Sequence, residues 1–229
     1  EIDSRTSAYF KFVDKLSGVE AVIATGSDNS ARYFEYYFRN HPHVIRKNRN
    51  GVAVLTGNES PDELKSLGTD IFTYYGLGCR NVSKLYIPAE YDLALFFESM
   101  YGFHAVMEHH KYMNNFDYHH AVYLLKQLPF LQNNFLILKE DTSLASPLAV
   151  VHYERYVDRE ALIAHLGAAR DNIQCIAVAE NSLNGFRSAD HTFPWLEFGQ
   201  TQSPALWDYA DGVDTLKFLL SLGVADTVE

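Results

Sequence analysis

The sequence predicts an α/β protein, with three α/β/α layers around a largely parallel sheet. Three observations predict it. Short apolar runs of strand length alternate with amphipathic stretches along the whole chain. The runs stop at Gly or Pro, the residues that end regular structure. No internal repeat or low-complexity segment interrupts the alternation. Strand–helix–strand order on this scale builds parallel sheets.

Residues 21–25 (AVIAT) form an apolar run that stops at Gly26, a buried strand. A helix follows over 30–38, with Tyr33, Phe34, Tyr37 and Phe38 on one side. A second apolar strand covers 51–55. Ser60-Pro61-Asp62-Glu63 is a helix start: a Ser cap, Pro in the first turn, then acids. That helix runs to about Tyr75 and ends at Gly76 and Gly78, and a strand over 83–87 closes at Pro88. Helices are expected over 92–100, 116–126 and 158–169, and strands over 135–138, 148–153 and 174–179. Residues 181–195, with their Gly, Ser, Asp and Pro, are expected to be loop.

The 229 residues hold one large domain or two small ones. With a formal charge of −10, bulk electrostatics argue against nucleic acid or an anionic membrane as partner. No apolar run has the length of about 20 residues that a membrane span needs. The chain opens on Glu1 rather than Met, which suggests a trimmed start, and no signal-peptide pattern stands there. Two cysteines make no disulfide framework, so a reducing cytoplasm is the expected location.

Several motifs carry chemistry. In Thr25-Gly26-Ser27 a strand ends in Gly and Ser opens a helix. Such a turn can present backbone N–H groups to a pyrophosphate, or serve helix capping only. Cys79, in Tyr75-Gly76-Leu77-Gly78-Cys79-Arg80-Asn81, has two readings. It is a nucleophile, with glycine-flanked amides to hold an oxyanion and Arg80 to favour the thiolate, or it is a small buried hydrophobe. Its place after a helix C-terminus disfavours a thiolate. Cys175, within an apolar strand, reads as core.

His104, His109, His110, His119 and His120 cluster, but adjacent side chains diverge, so no metal site is expected. One of them near an active site could serve as acid or base. The basic run Arg46-Lys47-Asn48-Arg49 is a phosphate contact or a solvated loop. The aromatics Phe96, Phe97, Tyr101, Phe103, Tyr112 and Phe116 line an acyl tunnel or fill an ordinary core.

In combination these motifs resemble the aldehyde dehydrogenase superfamily, above all its long-chain acyl-CoA reductase branch, the bioluminescence fatty-acid reductase type. The matching pieces are residues 23–27 (IATGS), 54–61 (VLTGNESP), 76–83 (GLGCRNVS), 146–148 (SPL) and 198–204 (FGQTQSP). They follow the superfamily's order, and Cys79 stands 53 residues beyond Gly26. The resemblance implies that residues 1–56 are the C-terminal part of a dinucleotide-binding domain and residues 57–199 a catalytic domain with the nucleophilic cysteine. Residues 200–229 would be a segment returning to the nucleotide domain. It implies that the early nucleotide domain, with the side-chain amide of the oxyanion hole, is missing upstream. Gly26 and Ser27 would face the pyrophosphate of NADPH, and Cys79 would attack an acyl-CoA. The acyl-cysteine would accept hydride and leave as an aldehyde. A homodimer is also implied.

Two departures refine this. Aldehyde-oxidising members have a water-activating Glu where this sequence has Leu55, which suits reduction rather than hydrolysis. Glu59 is near but off the matching position. The ribose-binding Glu of the superfamily matches Ser143, and Glu140 supplies it only after a shift of register. The leading expectation is therefore an NADPH-dependent acyl-CoA reductase. An acyl-phosphate reductase of the glutamyl-phosphate type, which also lacks the Glu base, is the alternative. A non-catalytic protein that keeps the fold is a third reading.

Overall fold

The computed structural model describes residues 4–191 and 193–222. The chain forms two compact units, one drawn from Glu1–Lys47 and Tyr209–Glu229, the other from Asn48–Asp208.

The first unit begins with a 3-10 turn at Ser4–Tyr9. It continues with β1 (Val22–Thr25), α1 (Asp28–Phe38) and β2 (His43–Arg46). The two strands pair in parallel, Val22 beside His43 and Thr25 beside Arg46. The helix starts two residues before the expected position, because Ser27 caps it by accepting the Ser30 N–H at 3.2 Å. Its aromatic stripe is not a core face. Phe34 and Phe38 are half-buried, Tyr33 and Tyr37 are exposed, and Ala31 alone in this helix is fully buried. A two-stranded sheet is too narrow to cover a whole helix face.

The second unit contains β3 (Asn50–Val54), α2 (Pro61–Phe72), β4 (Val82–Pro88), α3 (Ala94–Met100) and α4 (His110–Leu125). Then come β5 (Leu131–Gln132), β6 (Ile137–Glu140), β7 (Val150–Tyr156), α5 (Arg159–Ala168), β8 (Ile173–Val178), α6 (Glu180–Ala189) and β9 (Trp195–Glu197). The seven strands lie in the order β5-β6-β7-β4-β3-β8-β9. Every neighbouring pair is parallel except β5–β6. The last helix, α7 (Thr215–Leu222), belongs to the first unit.

Alternation along the central strands divides the core in two. Ala53, Leu55, Leu85, Ile87 and Ala177 pack with α2, α3 and α4. Val52, Val54, Tyr86, Ile176 and Val178 pack with Leu162 and Leu166 of α5 and Leu183 and Phe186 of α6. The second unit is thus three-layered, and its inner strands are mostly apolar because both faces are covered, with Lys84, His152 and Gln174 as buried polar exceptions.

Two elements differ from expectation. The fourth helix opens at His110, six residues early, with the His109 ring accepting the Tyr112 N–H at 3.1 Å as its cap. The stretch expected as loop forms α6 over Glu180–Ala189. Its weak helix formers are overridden by burial of Leu183 and Phe186, and Phe186 stacks on Trp195 at 5.0 Å. Among the described residues, no helix is long and apolar enough to cross a membrane.

Candidate functional site

Cys79 is exposed. It sits in a tight turn between α2 and β4 that the surroundings hold from three directions. The helix opens with a full capping box, Ser60 with Glu63, and Pro61 in the first turn. It ends at Phe72, three residues earlier than expected. Tyr74 and Tyr75 then take left-handed conformations (φ 53° and 58°), followed by Gly76 (φ 79°). Non-glycine residues in this region cost about 1–3 kcal/mol each unless their surroundings impose it. Here the Tyr75 ring stacks on His109 at 3.9 Å and packs near Tyr112.

Asn81 is the first clamp. It is 3% exposed, and its side chain closes the turn by accepting the Gly78 N–H at 2.8 Å. The amide end donates to the Asp70 and Thr73 carbonyls at 2.8 Å each and to the Ile71 carbonyl at 3.3 Å. These are carbonyls at the end of α2 that the helix itself leaves without partners. The Gly78 N–H, expected as an oxyanion donor, is therefore committed to Asn81.

Asp70 is the second clamp. Fully buried, it accepts the Gly199 N–H at 2.7 Å, the Thr201 N–H at 3.0 Å and the Thr201 hydroxyl at 2.8 Å. Burial pushes its carboxyl above the ordinary value, against the pull of those donors and of Arg80. The third clamp is Arg80. Expected to favour a Cys79 thiolate, it instead binds the Thr201 carbonyl and makes an ion pair with Asp208 at 3.0 Å. Gly51 of β3 permits this packing, since a Cβ there would meet the Arg80 and Asn81 carbonyl oxygens at 2.6 Å.

Cys175 is fully buried, its thiol 3.8 Å from the Arg80 carbonyl, and burial pushes its pKa up to about 12. It is a core residue, as expected.

Leu55 is fully buried beyond the end of β3, its carbonyl accepting the Tyr156 hydroxyl at 2.7 Å. Glu59 folds back on its own loop, taking the Thr56 N–H, the Thr56 hydroxyl and the Gly57 N–H. Its carboxylate closes a turn. Ser143 accepts from the His152 ring at 3.0 Å through its carbonyl, and Glu140 is exposed at the end of β6. A cavity of about 40 Å³ is lined by Tyr75, Gly76, Tyr112, Ser146, Leu148 and Val151.

Gly26 and Ser27 lie in the first unit. The Gly26 N–H donates to the Arg46 carbonyl at 3.2 Å, and a Cβ at Gly26 would meet Ser30 at 2.8 Å. The glycine is thus required by helix–strand packing, and the Ser27 hydroxyl by the cap. In the basic run, Arg46 donates to Thr215 at 2.8 Å and Lys47 pairs with Glu35 at 2.8 Å. Of the clustered histidines, His109 caps α4, His104 meets the Tyr101 carbonyl, and His119 and His120 pack among aromatics. Among the described residues, no group of three or more His, Cys, Asp or Glu could hold a metal ion.

Sequence reasoning missed Asp70 and Asp208, and quoted Asn81 and Thr201 without a role. One signal was present: Asp70 falls three residues after Leu67 and one before Ile71, on the apolar stripe of α2. An acid on a buried stripe requires partners.

No protein-family model matches the sequence, and no curated protein matches it. Solved structures match it in fold. Aldehyde dehydrogenase 21 from Physcomitrella patens, in complex with the reaction product succinate, matches with a TM-score of 0.57 at 12% identity, over 82% of this chain and 45% of that one. Substrate-bound AldH from Staphylococcus aureus gives 0.58 at 8% identity, over 78% and 46%. A proline utilization A variant from Bradyrhizobium japonicum gives 0.55 at 16% identity, over 78% and 22%. The chain spans less than half the length of each. The likeness is one of fold: over about 78% of its length, this α/β chain with its mostly parallel sheet matches aldehyde dehydrogenase structures.

Proposed function

We propose that the protein is an oxidoreductase of the aldehyde dehydrogenase type that reduces an acyl-CoA to an aldehyde, with Cys79 as the acyl-carrying nucleophile. The observation that carries this reading is the exposed Cys79 thiol on a turn clamped by Asn81, Asp70 and Arg80. A nucleophile held in one geometry reacts with little ordering cost. In the reaction, Cys79 Sγ bonds to the thioester carbonyl carbon. The carbon–sulfur bond to coenzyme A breaks, and coenzyme A leaves with the cysteine proton. The apolar, buried Leu55 offers no base to activate water, so the acyl-cysteine resists hydrolysis.

NADPH is the reductant in this reading, and when bound it supplies the hydride that releases the aldehyde from Cys79. The strand–turn–helix at Gly26 and Ser27 fits such a group in one respect: the N-terminus of α1 suits a phosphate. Main-chain N–H groups of that first turn would hold it, since the Ser27 hydroxyl is already engaged. Asp28 in the same turn weakens the attraction.

The test is acylation of the protein itself. With a long-chain acyl-CoA, intact-mass measurement is expected to show one acyl adduct and an equal amount of released thiol. Cys79→Ala should abolish both. An adduct that persists in Cys79→Ala removes the proposal. Phosphate release from an acyl phosphate, with no reaction toward the thioester, would assign the acyl-phosphate alternative instead.

A further inference from the structure

On β4, Lys84 and Tyr86 point to the α5–α6 side of the sheet, since side chains two apart share a face. The cross-strand partner of Tyr86 on β7 is Glu154. Lys84 is fully buried and donates to Glu154 at 2.6 Å and to the Thr142 carbonyl at 2.8 Å. Its charge is therefore matched. Tyr86 is not matched. The residue is 1% exposed, and its hydroxyl has no hydrogen-bond partner among the described residues. Buried hydroxyls nearly always have one. Burial and Glu154 both push the phenol above its ordinary pKa, so it stays a neutral donor.

Tyr86 lines a cleft of about 270 Å³ where β7 runs into α5, together with Glu154, Tyr156, Asp158, Leu162 and His165. Its other side chains include the apolar Val157 and Ala161. Arg155 also borders it, but its guanidinium is engaged with the carbonyls of Pro88, Ala89 and Tyr91.

We propose that this cleft binds a small uncharged carboxamide, whose carbonyl accepts the Tyr86 hydroxyl and whose N–H donates to Glu154. Tyr86 and Glu154 are cross-strand partners, and both line the cleft. A carboxamide displays one acceptor and one donor on adjacent atoms of one small group. Glu154 takes one donor from Lys84, and a carboxylate has room for about four. A carboxylate ligand would instead turn two acceptors toward Glu154 and Asp158. An amidinium would offer donors only, leave the Tyr86 hydroxyl unmet and add positive charge near Lys84. Leu162, Val157 and Ala161 suit the apolar body. The cleft is smaller than a site for a drug-sized ligand, so the ligand is of single-ring size.

Benzamide, benzoate and benzamidine share size and shape and differ in charge, which makes them the probes. Ligand-observed NMR on the full chain, at millimolar probe, reads binding without turnover. Benzamide is expected to bind saturably, and benzoate and benzamidine at least about tenfold more weakly. Tyr86→Phe is expected to weaken benzamide about two- to tenfold. This variant deletes a hydroxyl without a hydrogen-bond partner among the described residues, so its Tm should not fall. No saturable benzamide binding, meaning a cleft that holds water alone, would overturn the proposal. So would equal binding of the three probes, or undiminished benzamide binding by Tyr86→Phe.

Discussion

Asn81→Asp keeps the size and shape of the side chain that closes the Cys79 turn, and reverses what it offers three helix carbonyls. In the native protein the Asn81 amide donates twice at 2.8 Å and once at 3.3 Å, and its oxygen accepts the Gly78 N–H. Each such bond contributes about 1 kcal/mol net, so Asn81→Ala is expected to cost about 2–4 kcal/mol. The aspartate retains the Gly78 bond but places a buried charge against the end of α2. An uncompensated buried charge costs about 3–5 kcal/mol, so at neutral pH the isosteric change should be at least as harmful as truncation. Acid should reverse part of the loss, because a protonated carboxyl can again donate. Urea unfolding followed by Trp195 fluorescence measures this, since Trp195 is buried in the same unit. If Asn81→Asp lies within about 1 kcal/mol of the native protein, or proves milder than Asn81→Ala at neutral pH, the amide is not capping those carbonyls.

Two further outcomes are expected. A thiol reagent should label one cysteine rapidly in the folded protein, and Cys79→Ala should remove that phase. Cys175, buried and shifted to about 12, should react only in denaturant, and a second fast thiol would contradict its placement. Burial lowers the pKa of His152 below its ordinary value of 6.5. The unfolded chain then binds more protons than the native one just below 6.5, so stability from this group is present above that pH and is lost as pH falls toward the native pKa. His152→Gln should flatten the urea-derived stability profile below about pH 6.5, and an unchanged slope would show that the ring titrates alike in the folded and unfolded chain.

Local chemistry made much of the fold legible. The strands expected over 51–55, 83–87 and 174–179 all formed in the covered sheet, where burial on both faces favours mostly apolar residues. Ser60-Pro61-Asp62-Glu63 became a helix start for reasons contained in four residues. The errors arose where local preference met tertiary burial. Residues 181–189 have the composition of a loop, yet Leu183 and Phe186 are held helical by the sheet and Trp195. Tyr74 and Tyr75 read as the end of a helix, yet His109 draws Tyr75 into a left-handed turn.

For the candidate site, the sequence by itself determined that Cys79 follows a helix, stands among glycines and precedes a strand. It also determined that Cys175 is core. These are matters of periodicity and composition. Only the tertiary structure decided which cysteine is exposed, that Arg80 turns to Asp208, and that Asp70 takes Gly199 and Thr201 from the far end of the chain. Those partners lie more than a hundred residues apart. Their pairing follows from where the fold brings segments distant in sequence, and a buried carboxylate takes the donors that arrive there.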